Sequence, residues 1–325
     1  MVFHTALLIL SGFLLLWSAN WLVGSVTHIA RYLHWREFVI AFFVMAIVSS
    51  LPNLFVGITS ALQGIPELSF GDIVGNSVVD LTLIVALAVL VGKKLEADSP
   101  FIQKSALFTL AIAVLPLLLI LDKELSRGDG VALLLAFAFY SVWLLSKRKE
   151  YTAVFNHPDP ADIQDHFSHF RGFLRSIGKI AIGIFLLLAS SQGVVNASLF
   201  FASEFHVPLT MVGIIVLGLG SAMPEAYFTI AAARKGNSKI ILGDLMGTVV
   251  VMATLILGIV AILEPIRVPQ FSSFAIARIF LFVSAFFFFI FLRTGRKITK
   301  KEGVFLILLY IAFVLAELIY NASLT

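Results

Sequence analysis

Two acidic residues, Asp80 and Glu225, sit deep inside long apolar runs of the chain. A carboxylate at that depth in a bilayer costs at least ~2.5 kcal/mol unless a cation, a proton or water meets it. No Lys or Arg reaches a comparable depth in any run, so the expected partner is a dissolved cation. The residues just upstream are suited to prepare such a site. In Ser49-Ser50-Leu51-Pro52-Asn53, Pro52 has no N–H to donate and crowds the preceding turn, while Ser49 and Ser50 can bond the carbonyls it frees, so a helix here should break. Gly218, Gly220, Ser221 and Pro224 make the same break ahead of Glu225. Freed carbonyls and helix ends are ready cation ligands, tolerated in a bilayer only where protein or water surrounds them. The plainer alternative is a pair of kinked packing helices, since Pro and Gly are common in membrane helices. Gly71-x-x-x-Gly75 and Gly243-x-x-x-Gly247 should let neighbouring helices come close to the breaks. Asp72 and Asp244, about two turns nearer the starts of their runs, suit helix capping or the lining of a mouth as well as ion binding.

The elements that must position these residues follow from composition. Of 325 residues 60% are hydrophobic and 13% charged, against roughly 25% charged in soluble domains, which excludes a water-soluble globule. Apolar runs fall at about 5–27, 38–62, 68–91, 102–122, 129–146, 172–202, 208–233, 240–263, 272–293 and 303–320. At about 20 residues per crossing they predict an all-α membrane protein of ten transmembrane helices. The first run lacks a basic leader and continues well beyond a signal-peptide core, so it is expected to stay as structure. With the N-terminus outside, nineteen of the 23 Lys and Arg fall on the inner side and only Lys123, Arg127, Arg267 and Arg278 outside, as the positive-inside rule requires. Both termini then face out of the plasma membrane, and the net charge of +4 belongs to inner loops, not to nucleic-acid binding. A polar stretch at 147–171, with His157-Pro158-Asp159-Pro160, is expected to be a cytoplasmic tether. The absence of cysteine excludes disulfides and thiolate metal sites, and no HExxH or GxSxG motif suggests an enzyme. Asn20, Ser190, Gln192 and Asn196 read as packing polars, and Glu317 and Arg278 as an outer-surface pair.

The chain also repeats itself. A shift of 172 residues (225 − 53) lays Ser49-Ser50-Leu51-Pro52-Asn53 on Ser221-Ala222-Met223-Pro224-Glu225 and, without a gap, Gly71-Asp72-Ile73-Val74-Gly75 on Gly243-Asp244-Leu245-Met246-Gly247. Thr82-Leu83-Ile84 falls on Thr254-Leu255-Ile256. Five crossings per copy is an odd number, so the copies should run in opposite senses. Two inverted five-helix repeats, 1–146 and 172–325, joined by the 147–171 loop, put function near the midplane where they meet.

With these motifs the chain resembles the calcium/cation antiporters, whose best-known branch is the sodium/calcium exchangers. The likeness rests on Ala46 to Asn53 with Gly71 to Asp80, and on Gly218 to Glu225 with Gly243 to Met252. It implies that the acid after each Pro, hydroxyls one turn earlier, broken-helix carbonyls and polar groups on the following span bind calcium and sodium. It further implies that spans one and six move against the rest. Glu225, Ser49, Ser50 and Ser221 match that pattern; Asn53 stands where the first motif has Glu, and Met252 replaces an Asn or Asp, its thioether being a poor ligand for a hard cation. Asp80 holds the corresponding place on span three.

Two carboxylates then balance one divalent ion, and because Ca²⁺ takes six to eight oxygens, Asn53, Asn76, Thr248, Ser49, Ser50, Ser221 and the carbonyls near Ala46 and Gly218 would complete the shell. The expectation is a secondary antiporter exchanging a divalent cation, Ca²⁺, for Na⁺ or H⁺ by alternating access, with no cofactor. A passive cation channel and a degenerate, non-transporting homologue are the alternatives. Returning a carboxylate through Asn53→Glu should tighten a weakened calcium site.

Overall fold

The computed structural model describes residues 1–32, 47, 50–147, 166–267 and 271–322. Eight helices among them are long and apolar enough to cross a membrane, which makes the chain an all-α, multi-pass membrane protein. They are α3 (Glu67–Gly92), α4 (Pro100–Asp122), α5 (Arg127–Ser146), α6 (His166–Glu204), α7 (Leu209–Arg234), α8 (Ser238–Leu263), α9 (Phe271–Thr294) and α10 (Lys300–Ala322). Ahead of them lie α1 (Val2–Tyr32), which covers the first expected span, and α2 (Leu51–Leu62), which covers the end of the second. Helix α6 starts at His166, before the apolar run begins and inside the segment expected to be loop.

Starts and stops are locally encoded. Ser126 caps α5 by accepting from Asp129 N (3.2 Å) while the Asp129 carboxylate accepts from Ser126 N (2.8 Å), and Glu302 accepts from Thr299 N (2.6 Å) at the head of α10. Pro52 in α2 and Pro224 in α7 both lie in the first turn of a helical segment, where a missing N–H costs nothing.

The core is formed by α3 and α8, of whose apolar windows 83% is buried, against 22–44% for the other six spanning helices. Both carry a π-helical turn, Asp80–Ile84 in α3 and Val251–Ile256 in α8. At each, a threonine hydroxyl bends back to a backbone carbonyl, Thr82 to Val78 and Thr254 to Val250, both at 2.5 Å. Such turns widen the backbone and re-aim side chains, and they concentrate at functional sites. Around this core α1 packs along α6, held at one end by His4 stacked on Phe200 with ring centroids 3.6 Å apart.

Two short antiparallel ribbons tie the connections together: β1 (Lys94–Glu96) pairs with β4 (Lys297–Thr299), and β2 (Glu124–Leu125) with β3 (Ile266–Arg267). The first joins the α3–α4 and α9–α10 connections, the second the α4–α5 and α8–α9 connections.

Candidate ion-binding site

The site is built where α3 and α7 touch backbone to backbone. A Cβ placed on Gly75 would stand 2.7 Å from Ile214 Cα, and one on Gly218 would stand 2.7 Å from Asn76 N. Gly71 and Gly213 meet the opposite helix as tightly. The first glycine pair therefore does what its spacing predicts, because only glycine removes the atoms that would hold two helices apart.

That closeness brings side chains of α2, α3 and α7 into one hydrogen-bonded chain. Asn53, 2% exposed in the first turn of α2, donates from Nδ2 to Asp72 Oδ2 (3.0 Å). Ser221 donates to Asp72 Oδ1 (3.1 Å), with the Gly218 carbonyl a longer alternative at 3.4 Å. Asn76 Nδ2 donates to Ser221 Oγ (2.7 Å). Asp72 is thus not a helix cap: it lies in the interior of α3, 2% exposed, at the junction of three helices. Depth along a span could not reveal this; the pairing with Asn53 crosses 19 residues of sequence and two helices.

Helix α7 is interrupted as the sequence predicts. It runs to Ser221, turns at Ala222 and resumes at Met223. Pro224 brings no N–H to the turn before it, and the Gly220 carbonyl four residues back accepts instead from Ala222 N. Glu225 is 5% exposed and its Oε2 has no hydrogen-bond partner; Asp80, fully buried at the start of its π turn, has none on either oxygen. The Glu225 segment of α7, Met223–Arg234, packs on the π turn that begins at Asp80. Two further buried oxygens, Asn76 Oδ1 and Thr248 Oγ1, are also unpartnered. Buried polar atoms in proteins nearly always find a partner, and five such oxygens on α3, α7 and α8 suit a positive guest better than they suit one another.

Of the other expected ligands, Ser50 is buried immediately before α2 and Gly218 packs on Asn76. Ala46 and Ser49 lie outside the described residues. Met252 is fully buried on α8, and Asp244 is half-buried on the same helix. Among the described residues no group of three or more His, Asp or Glu has the geometry of a metal cluster. Elsewhere, Gln192 donates to Asn196 (3.0 Å) and Arg278 donates to the Leu117 carbonyl (2.8 Å).

An apolar helix interrupted beside a buried acid, with a second unpartnered acid buried on a neighbouring apolar helix, marks an integral membrane transporter, not an enzyme. The chain belongs to the sodium/calcium exchanger protein family, whose model matches it twice, over residues 3–146 and 175–318. It is 25% identical to the sodium/calcium exchanger MaX1 of Methanosarcina acetivorans, over 94% of this chain and 96% of that one. It is 23% identical to the inner membrane protein YrbG of Escherichia coli, over 94% of each. The fold matches the solved sodium-calcium exchanger NCX_Mj soaked with Na⁺ and Sr²⁺, with a TM-score of 0.64 and 20% identity over 96% of this chain and 98% of that one.

Proposed function

We propose that this transporter exchanges a divalent cation, Ca²⁺, for Na⁺ or H⁺ by alternating access, at a site formed by Asp80, Glu225, Asn53, Asn76, Ser221, Thr248, Ser49, Ser50 and the carbonyls near Ala46 and Gly218. The observation that carries this is the set of buried, unpartnered oxygens of Asp80 and Glu225 beside the α7 break. Two negative charges in an apolar core require a compensating charge, and a carrier that swaps one Ca²⁺ for two monovalent ions keeps them neutralised in both states. Relatives that handle sodium and calcium favour the same ions.

Ten crossings in two inverted repeats, 1–146 and 172–325 around a cytoplasmic 147–171 loop, suit the pattern of correspondences. The two matches to the family model are offset by 172 residues, from 3 to 175 and from 146 to 318. The same offset carries the Thr82–Val78 bond onto Thr254–Val250 and the paired strands β1·β4 nearly onto β3·β2. The ribbons also favour the topology: β1·β4, carrying Lys94 and Lys297, joins two connections assigned to the inside, and β2·β3 joins two assigned to the outside. Both termini then face out of the plasma membrane. Helices α1 and α6, packed on each other along their length, are the pair that moves against the other eight.

The test is uptake of ⁴⁵Ca²⁺ into proteoliposomes holding purified protein, under an imposed Na⁺ or pH gradient. Uptake driven by one of these gradients and absent without it supports exchange. Uptake indifferent to both gradients, or a steady single-molecule conductance in a planar bilayer, refutes it in favour of a channel.

A further inference from the structure

The hydrogen bonds through Asp72 share one direction. Asn53 gives it an N–H, Ser221 gives it an O–H, and Asn76 gives an N–H to Ser221. An ionised carboxylate can only accept, so Asp72 draws every donor of this chain toward itself. The consequence falls on the atoms at the other ends. An Asn53 amide that spends its NH₂ on Asp72 keeps Oδ1 for another partner, and Ser221 Oγ, having donated to Asp72 and accepted from Asn76, keeps one lone pair. The Asn76 amide, its NH₂ spent on Ser221, holds Oδ1 buried and unpartnered.

We infer that Asp72 is a positioning residue of the proposed cation site: by accepting the protons of Asn53 and Ser221 it turns the oxygens of Asn53, Ser221 and Asn76 toward the ion. The inference rests on the exchange proposal for the identity of the guest and adds a role for an acid outside the proposed ligand set. It also explains the amide at position 53. A carboxylate there would meet Asp72 as one acceptor facing another, whereas an amide supplies the N–H that Asp72 needs and an oxygen besides. Groups that hold and orient metal ligands typically alter affinity ten- to a hundredfold when removed.

Asp72→Asn keeps shape and volume but mixes donor with acceptor, so one N–H at position 72 must then point at Asn53, at Ser221 or into the site. Calorimetric titration of detergent-purified protein with Ca²⁺ is expected to give an affinity ten- to a hundredfold weaker than the parent. In transport the Ca²⁺ KM should rise while turnover at saturating Ca²⁺ holds. The paired exchange Asn53→Asp with Asp72→Asn restores one acid and one amide: Asn at 72 gives its N–H to Asp at 53 and accepts from Ser221, so affinity should recover to within about threefold of the parent. A role in packing alone predicts no loss in the isosteric single variant. Equal Ca²⁺ affinity in parent and Asp72→Asn, or a paired variant no better than the single one, would overturn the inference. Because binding is read apart from flux, a parent that binds Ca²⁺ but transports none counts against exchange and leaves the comparison at Asp72 intact.

Discussion

Substituting Gly75 by alanine tests whether the site depends on the bare backbone contact between α3 and α7. The added Cβ would stand 2.7 Å from Ile214 Cα and 2.8 Å from its carbonyl carbon, whereas carbon atoms settle at about 3.5–4.0 Å. Both neighbours are backbone, which cannot rotate away, so the helices must part by ~1 Å. Asn76 is the next residue, and its 2.7 Å bond to Ser221 would stretch to roughly 3.5 Å or beyond, where little hydrogen-bond energy remains. Overpacking of this kind costs about 1–3 kcal/mol, and the lost bond to the Asp72 chain adds about 1 kcal/mol. Thermal unfolding of the purified protein in detergent should show Gly75→Ala melting several degrees below the parent, with weaker Ca²⁺ binding. Gly12 in α1, which has no atom within 4 Å of an added Cβ, is the control: Gly12→Ala should be neutral or slightly stabilising, since alanine favours a helix by ~1 kcal/mol. Equal melting and equal binding in Gly75→Ala and the parent would refute the close approach of the two helices.

Three further outcomes follow from the same geometry. Glu225→Gln should abolish exchange while the protein remains folded and monodisperse on gel filtration; undiminished flux in this variant would move the site elsewhere. Uptake should fall in acid as the site carboxylates protonate and lose their charge for the cation, and Asp80→Asn should flatten that dependence; an unchanged pH profile would take the proton away from Asp80. Asn53→Glu, which the sequence suggests should tighten a calcium site, is now expected to weaken it, because the new carboxylate meets Asp72; adding Asp72→Asn removes the repulsion and should raise Ca²⁺ affinity above that of Asn53→Glu alone, as calorimetry can read.

Much of this arrangement is written in residue order, and the remainder depends on which helices lie side by side. The α7 break was legible because Pro224 and its glycines act within one turn. The burial of Asp80 and Glu225 was legible because both stand well inside apolar runs. The Gly71 and Gly75 spacing announced a close contact but not its partner, Ile214. Asp72 was read from its distance to the end of a span, yet its position is decided by Asn53 and Ser221, which the chain delivers from two other helices. The π turns at Asp80 and Val251 left no mark in hydrophobic periodicity, since each adds a single residue to a turn within a largely apolar run. The ribbons escaped notice for a related reason: two or three residues in a loop carry too little alternation to signal a strand.

The central claim is that a cation rests between Asp80 and Glu225 at the α7 break. The most direct measurement is anomalous diffraction from crystals of the protein soaked in Sr²⁺, a Ca²⁺ mimic that scatters strongly enough to be located. The principal peak should fall within coordination distance of a carboxylate oxygen of both Asp80 and Glu225, and should vanish in Glu225→Gln. A principal peak bound elsewhere, or one that persists unchanged in Glu225→Gln, would contradict it.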